Sequence, residues 1–248
     1  MPMIPIVEIF DSIQGEGLAM GMPVTFVPVA ICNLACPWCD TKYSWNLDEA
    51  VAMSENELVE LLKDKTTVVW TGGEPMLYRT VINEVMKRIH NAGYAVKFHI
   101  ETNGTIPPEE QTMAMRISMW AISPKIFMLE KLTEQGISDF FNDFLYKIPR
   151  YSNGNVQMKF VVRCKKDLEF IKKISSHIPF WIPIIITPER YSATKQYQDE
   201  FNDPGDDRIE YMIKFKELVG WCEDILVGVN YRLLPQLHYL IWGGKKGV

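Results

Sequence analysis

Residues 66–93 read TTVVWTGGEPMLYRTVINEVMKRIHNAG, and the order of patterns within them decides the fold class. TTVVW is a short β-branched and aromatic run, the composition of a buried strand. TGGEP is a sharp turn, and YRTVINEVMKRIHNAG carries apolar residues at helical spacing up to Gly93, a glycine stop. A strand, a glycine turn and a helix in succession form the repeating unit of a parallel α/β sheet.

The alternation continues on both sides. Upstream, PIVEIF (5–10) reads as a strand, DSIQGEG (11–17) as a turn-rich loop and VTFVPVA (24–30) as a second strand. Pro28 within it has no N–H for a ladder, so the strand is an edge or turns that nitrogen away from a neighbour. SENELVELLKDK (54–65) is a helix, with Ser54 and Glu57 in capping-box positions and Leu58, Leu61 and Leu62 along one face. Downstream, AVKFHI (95–100), SMWAIS (118–123), VQMKFVV (156–162), WIPIII (181–186) and DILVGV (224–229) read as strands. DLEFIKKIS (167–175) and a stretch from about 207 to 218 read as helices, and the polar residues 189–208 as a surface loop. Such alternation implies a parallel sheet with right-handed crossovers, either open or a full or partial barrel. Ligands then gather at the carboxyl ends of the strands, where four short motifs fall: the cysteine loop after Ala30, TGGEP, ETNGT (101–105) and SPK (123–125).

The whole chain sets the class. Its 248 residues, 47% hydrophobic and 23% charged, suit a single domain with one core. The net charge of −5, without a block of like charges, lacks the footprint of a nucleic-acid binder and favours a small-molecule partner. MPMIPIVEIF has neither a basic start nor a long apolar core, and no apolar run approaches the ~18 residues of a membrane span. Five cysteines, three of them clustered, argue against a secreted disulfide framework, so the expectation is a cytoplasmic protein.

Those three cysteines lie in ICNLACPWCDTKYSW (31–45), as Cys32, Cys36 and Cys39. A four-iron cluster wants four ligands, so three thiolates leave one iron open to an exchangeable partner, and an open iron implies chemistry. A structural zinc site would need a fourth ligand borrowed from Cys164, Cys222 or a histidine. Cys164 and Cys222 read as inert buried thiols.

CNLACPWCDT, joined to EIFDSIQGEG, TGGEP, ETNGT, SPK and LPQLHYLIWGGKKGV (234–248), resembles the 7-carboxy-7-deazaguanine synthase family of radical S-adenosylmethionine enzymes nearly end to end. The resemblance implies an α/β fold, a modified, incomplete (β/α)6-type radical SAM barrel. It implies one domain over 1–248, with an N-terminal substrate-loop segment (1–30) and a C-terminal substrate-capping segment (230–248). The activity implied is that of a carbon–nitrogen lyase. A 5′-deoxyadenosyl radical abstracts hydrogen from 6-carboxy-5,6,7,8-tetrahydropterin, and ring contraction with loss of ammonia gives 7-carboxy-7-deazaguanine, on the path to queuosine.

Carried over residue by residue, Cys32, Cys36 and Cys39 match the [4Fe–4S] ligands and Thr41 a Mg²⁺ ligand. Contacts to S-adenosyl-L-methionine fall on Trp38, Cys39, Asp40, Gly72, Gly73, Glu74, Ser123, Pro124 and Lys125. Those to the substrate fall on Ile13, Gln14, Gly15, Thr71, His238 and Val248. Glu16 joins them because a pterin edge alternates donors and acceptors and rewards carboxylate partners. Gly72 and Gly73 would let backbone approach a ligand closely, and Glu74 would accept from the cofactor's ammonium. A flavodoxin-like or other electron donor and a homodimer complete the expectation. Two positions depart from the family pattern. Pro28 stands where an arginine ordinarily contacts the substrate, and Ile31 where a glycine commonly precedes the first cysteine. Two readings follow from Pro28: the substrate carboxylate is held by another cation, Lys42 or Lys159, with Mg²⁺, or the enzyme acts on a different pterin-like substrate. A non-enzymatic zinc protein is the alternative from another class.

Overall fold

The structure is a computed structural model that describes residues 3–148, 155–189 and 204–242. Ten strands form one sheet among these residues: β1 (Met3–Ile6), β2 (Phe10–Ile13), β3 (Pro23–Val29), β4 (Val51–Ser54), β5 (Thr67–Gly72), β6 (Lys97–Thr102), β7 (Ile117–Ile122), β8 (Asn155–Val162), β9 (Ile184–Pro188) and β10 (Tyr231–Leu233). Their order is β10-β9-β8-β7-β6-β5-β3-β1-β4, with β2 also paired to β3. From β3 through β10 the pairs along this path are all parallel, whereas β1, β2 and β4 are antiparallel additions at one side. The sheet ends in β4 and β10 without closing on itself, so the incomplete (β/α)6-type barrel is the fold found.

Among the described residues there are eight α-helices, seven between strands and the last after β10: α1 (Glu55–Leu62), α2 (Arg79–Asn91), α3 (Gln111–Met115), α4 (Ile126–Leu129), α5 (Glu134–Leu145), α6 (Lys165–Ile174), α7 (Pro204–Ile225) and α8 (Leu237–Trp242). The capping box of α1 is formed as its sequence requires: the Ser54 side chain accepts from Glu57 N–H, and the Glu57 carboxylate accepts from Ser54 N–H at 2.8 Å. Alternate residues of each strand face the helices. Trp70, Ile100 and Trp120 do so with 0% exposure, and Trp120 meets Phe144 of α5 edge to face at 5.4 Å. The residues between them face the other side. Register sets Pro28 against Thr71, Val69 against His99, Glu101 against Ala121 and Ala121 against Gln157, which makes the opposite face polar toward the carboxyl ends.

Four expectations are corrected. PIVEIF is not one strand. The chain breaks after Ile6 and resumes at Phe10, and the pairing with β3 shifts by one residue between Ile6↔Val29 and Phe10↔Phe26, a bulge. Pro28 lies opposite it in a strand flanked on both sides. Its carbonyl accepts from Val7 N–H at 2.9 Å, so its nitrogen, on the same side of the strand, faces the irregular 7–9 stretch and not β5. DILVGV is not a strand. α7 runs on to Ile225, because Tyr211, Leu218, Cys222 and Leu226 keep one buried face past Gly220, and the strand follows as β10. Cys164 is exposed, not buried, since it caps the start of α6 where the chain leaves the sheet; Cys222 is buried. The surface loop expected over 189–208 lies mostly outside the described residues, and its last part, from Pro204, belongs to α7.

Candidate active site

The carboxyl ends of β3, β5, β6, β7 and β8 lie side by side, and the first four of these each hand the chain to one of the motifs. β3 leads into the cysteine loop. Ile31, the residue before Cys32, has φ 70°, a left-handed conformation that disfavours a β-branched side chain. The glycine pair after β5 fits closely beneath it. A Cβ on Gly73 would lie 2.1 Å from the Ile31 carbonyl oxygen, and Gly72 (φ 96°) would bring one within 2.6 Å of the Val29 backbone. These glycines therefore admit the backbone of the cysteine loop itself. Gly73 N–H donates to Val29 O (2.8 Å) and Glu74 N–H to Ile31 O (2.9 Å).

Glu74 is wholly buried. One of its oxygens accepts from Met76 N–H (2.9 Å) and Thr102 Oγ1 (2.7 Å), the other from Asn103 N–H (2.7 Å). Burial raises its pKa against these donors. It thus ties the turn after β5 to the turn after β6. Asn103 continues the tie: its Nδ2 donates to Asn33 Oδ1 at 2.9 Å and lies 3.9 Å from Cys32 Sγ, while Leu34 N–H points at the same sulfur from 3.4 Å.

Burial holds the Cys32 thiol above its usual range and pushes Cys36 up to about 11, with the Lys125 charge opposing in both cases. Lys125 Nζ donates to Ser123 Oγ at 3.0 Å, and Ser123 N–H donates to Thr102 O. Pro124 joins these two. Trp38 packs edge to face on Phe127, which follows SPK. The Thr41 hydroxyl is 3.4 Å from both Cys39 Sγ and Gly72 O.

A second polar group sits on the barrel face of the strands. Glu101 accepts from Thr71 Oγ1 (2.7 Å) and Gln14 Nε2 (2.8 Å). Glu16 is ion-paired with Lys159 of β8, and its other oxygen accepts from Gln236 Nε2 at 2.5 Å. Burial works against both charges. Lys159 and His238 nevertheless hold Glu16 down to about 2, and Glu16 and Glu101 hold Lys159 above its ordinary range. Glu16, Asp40 and His238 each bring a ligand atom within 4.8 Å of the others. Gly15 accepts from Leu237 N–H, and a Cβ there would strike the His238 ring. The SIQGEG loop and the PQLH segment are thereby joined over Lys159. Ile13 ends β2 next to Gln14, and Val248 lies outside the described residues.

Sequence reasoning did not single out Glu101, Asn103 or Gln236 as site residues. The signal for Glu101 was strand alternation, which puts it on the face of Thr71; for Gln236 only the tertiary approach to Glu16 reveals it.

Residues 26–118 match the radical SAM superfamily. Over 245 residues the chain is 31% identical to the 7-carboxy-7-deazaguanine synthase of Thermoplasma acidophilum, covering 98% of this chain and 99% of that protein. The chain belongs to the 7-carboxy-7-deazaguanine synthase family. Synthases of Pyrobaculum aerophilum (29% identical over 256 residues, 99% and 98% covered) and Bacillus subtilis (28% over 264 residues, 99% and 98%) are similar along their whole length. The crystal structure of QueE from Escherichia coli shares the fold, with a TM-score of 0.57 at 22% identity and 95% of each chain covered. The chain is accordingly a radical SAM enzyme, and its family implies a [4Fe–4S] cluster and S-adenosylmethionine. The donor set fits the cluster: three clustered thiols, two of them raised by burial until a metal ionises them, with amide N–H groups aimed at Cys32.

Proposed function

We propose that this chain converts 6-carboxy-5,6,7,8-tetrahydropterin to 7-carboxy-7-deazaguanine, with Cys32, Cys36 and Cys39 as the cluster ligands. The observation that carries this reading is the convergence of the cysteine loop, TGGEP, ETNGT and SPK at the carboxyl ends of adjacent strands, beside the joined SIQGEG and PQLH segments. When bound, the cluster and S-adenosylmethionine supply a reductively generated radical that takes hydrogen from the substrate.

The chain's own residues bind and orient. Trp38, Cys39, Asp40, Gly72, Gly73, Ser123, Pro124 and Lys125 line the cofactor's place. Glu74 acts chiefly by fixing two turns, because all its tight contacts are to protein donors. Gln14, Gly15, Glu16, Thr71 and His238, joined by Glu101, meet the pterin, with Ile13 alongside and Val248 completing the family's substrate set. Gln14 and Thr71 orient Glu101, whose carboxylate accepts from a pterin N–H edge. Thr41 gives an oxygen to Mg²⁺. The acidic set of Glu16 and Asp40 supports a cation here, since a substrate carboxylate would otherwise meet like charge. The reading extends to one domain with substrate-loop (1–30) and capping (230–248) segments, a flavodoxin-like or other electron donor, a homodimer and a cytoplasmic setting. All five cysteines are free thiols, which agrees with a reducing compartment.

Pro28 sits on the barrel face beside Thr71, so no side-chain cation is available at that position. Lys159, on the same face and already beside Glu16, supplies one across the barrel; Lys42 instead lies over the Trp45 ring at 5.5 Å. Pro28 also favours the second reading, a different pterin-like substrate. Anaerobically reconstituted protein given reductant, S-adenosylmethionine and 6-carboxytetrahydropterin tests the pair. The expected outcome is 7-carboxy-7-deazaguanine by mass, with Lys159→Met raising KM for the pterin at least tenfold. Cofactor cleavage without that product would leave only the second reading.

A further inference from the structure

The cysteine loop has little regular structure, and one contact in it involves a residue that the site described above does not use. Arg163 follows β8 immediately. Its guanidinium carbon lies 4.4 Å from the centroid of the Trp38 ring. The same guanidinium is gripped by Asp167 in the first turn of α6: Nε donates to Oδ2 at 2.9 Å and Nη2 to Oδ1 at 2.8 Å, and the Arg163 backbone N–H also donates to Oδ2 at 2.8 Å. The Asp167 side chain is only 3% exposed, so the fork is held against a buried anchor. Trp38 in turn meets Phe127 of α4 at 5.4 Å and 89°. The ring between Cys36 and Cys39 therefore contacts both the residue after β8 and the helix after β7.

Building on the radical SAM reading, we propose that Arg163 is a positioning residue for the cysteine loop. Oriented by Asp167, it stacks on Trp38 and fixes the Cys36–Cys39 stretch where three thiolates can share one cluster. The chemistry selects arginine. A planar, delocalised cation can form a two-point pair with a carboxylate and stack on an indole at once, whereas lysine can pair but cannot present a flat face. The ends of the loop are tied by Asn33 on Asn103 and Thr105 and by the Ile31 N–H bond to Ser44 O, and Trp38 adds a hold within the Cys36–Cys39 stretch, beside the contact of the Thr41 hydroxyl with Gly72 O.

The test is hydrogen exchange at the amides of residues 32–41 in the metal-free full chain, for the parent, Arg163→Lys, Trp38→Leu and the double variant. Arg163→Lys should speed exchange about tenfold, as loss of a partly desolvated stack implies, and should change it less than twofold when Trp38 is already leucine. Unchanged exchange in Arg163→Lys, or equal acceleration in both backgrounds, would overturn the proposal. After anaerobic reconstitution the same variant should lose iron to a chelator several-fold faster than the parent. A parent chain that assembles no iron and sulfide would defeat the cluster reading, while the exchange data would still decide the role of Arg163.

Discussion

Glu74→Gln is the most direct probe of how this site is built. The substitution keeps the size of the side chain but replaces one acceptor oxygen by an NH2 group. Three donors converge on the carboxylate, two on one oxygen and Asn103 N–H on the other. If the amide oxygen serves Met76 and Thr102, the NH2 group faces Asn103 N–H, and a buried backbone donor goes unpaired at about 1–3 kcal/mol. The two remaining bonds lose their charge assistance, about 0.5 kcal/mol each. Burying a neutral amide is easier than burying a carboxylate, as the raised pKa of Glu74 indicates, and this offsets part of the loss. The net expectation is about 2 kcal/mol. For a chain of this size that lowers Tm by roughly 4–8 °C. Urea unfolding of the metal-free protein at pH 7 measures it, with Glu74→Ala, which orphans all three donors, costing about twice as much. A loss below about 0.5 kcal/mol in Glu74→Gln would refute the argument, because it would mean that the charged, three-donor arrangement does not hold the two turns together.

Two other perturbations test different parts of the fold. At position 31, with φ 70°, Ile31→Gly should leave the protein about 1 kcal/mol more stable than Ile31→Ala, reversing the usual order, because an L side chain costs about 1–2 kcal/mol there and glycine about 0.5–1 in chain entropy; alanine equal or better by urea unfolding would count against the strained backbone. His99, 5% exposed with Nδ1 unpartnered, has its pKa lowered to about 4 by burial and by Lys97. The unfolded chain binds that proton near pH 6.5 and the folded chain only near 4, so stability rises with pH across this window and is lost below it. Between pH 7 and 4.5 the parent should therefore lose roughly 2 kcal/mol more than His99→Leu. Identical pH slopes for the two proteins would dismiss His99 as their source.

Much of this was legible in the chain because the signals are local. Alternating strand and helix patterns require a parallel sheet, and a parallel sheet brings the loops after its strands to one end. The capping box at Ser54 and the stop at Gly93 (φ 85°) form where read. Where the pattern misleads, the deciding partner lies far off in sequence or the local signal is weak. The bulge between Ile6 and Phe10 answers a proline in another strand. α7 outruns Gly220 because its buried face continues. α4 and α5 follow the SPK turn with no signal as plain as a capping box, although Thr133 does cap α5 through Gly136 N–H.

The sequence by itself determined the α/β class and the three-thiol motif, since periodicity and spacing are local, and it carried the family resemblance in motifs spread from EIFDSIQGEG to LPQLHYLIWGGKKGV. Only the tertiary structure decided what the glycines and Glu74 do: Gly72 and Gly73 make room for the backbone around Ile31, and Glu74 collects donors from two turns. It also decided that Lys159 pairs with Glu16 on the same barrel wall as Pro28. Such facts depend on which strand lies beside which, and on how closely backbones approach when the sheet forms, and no local pattern encodes either.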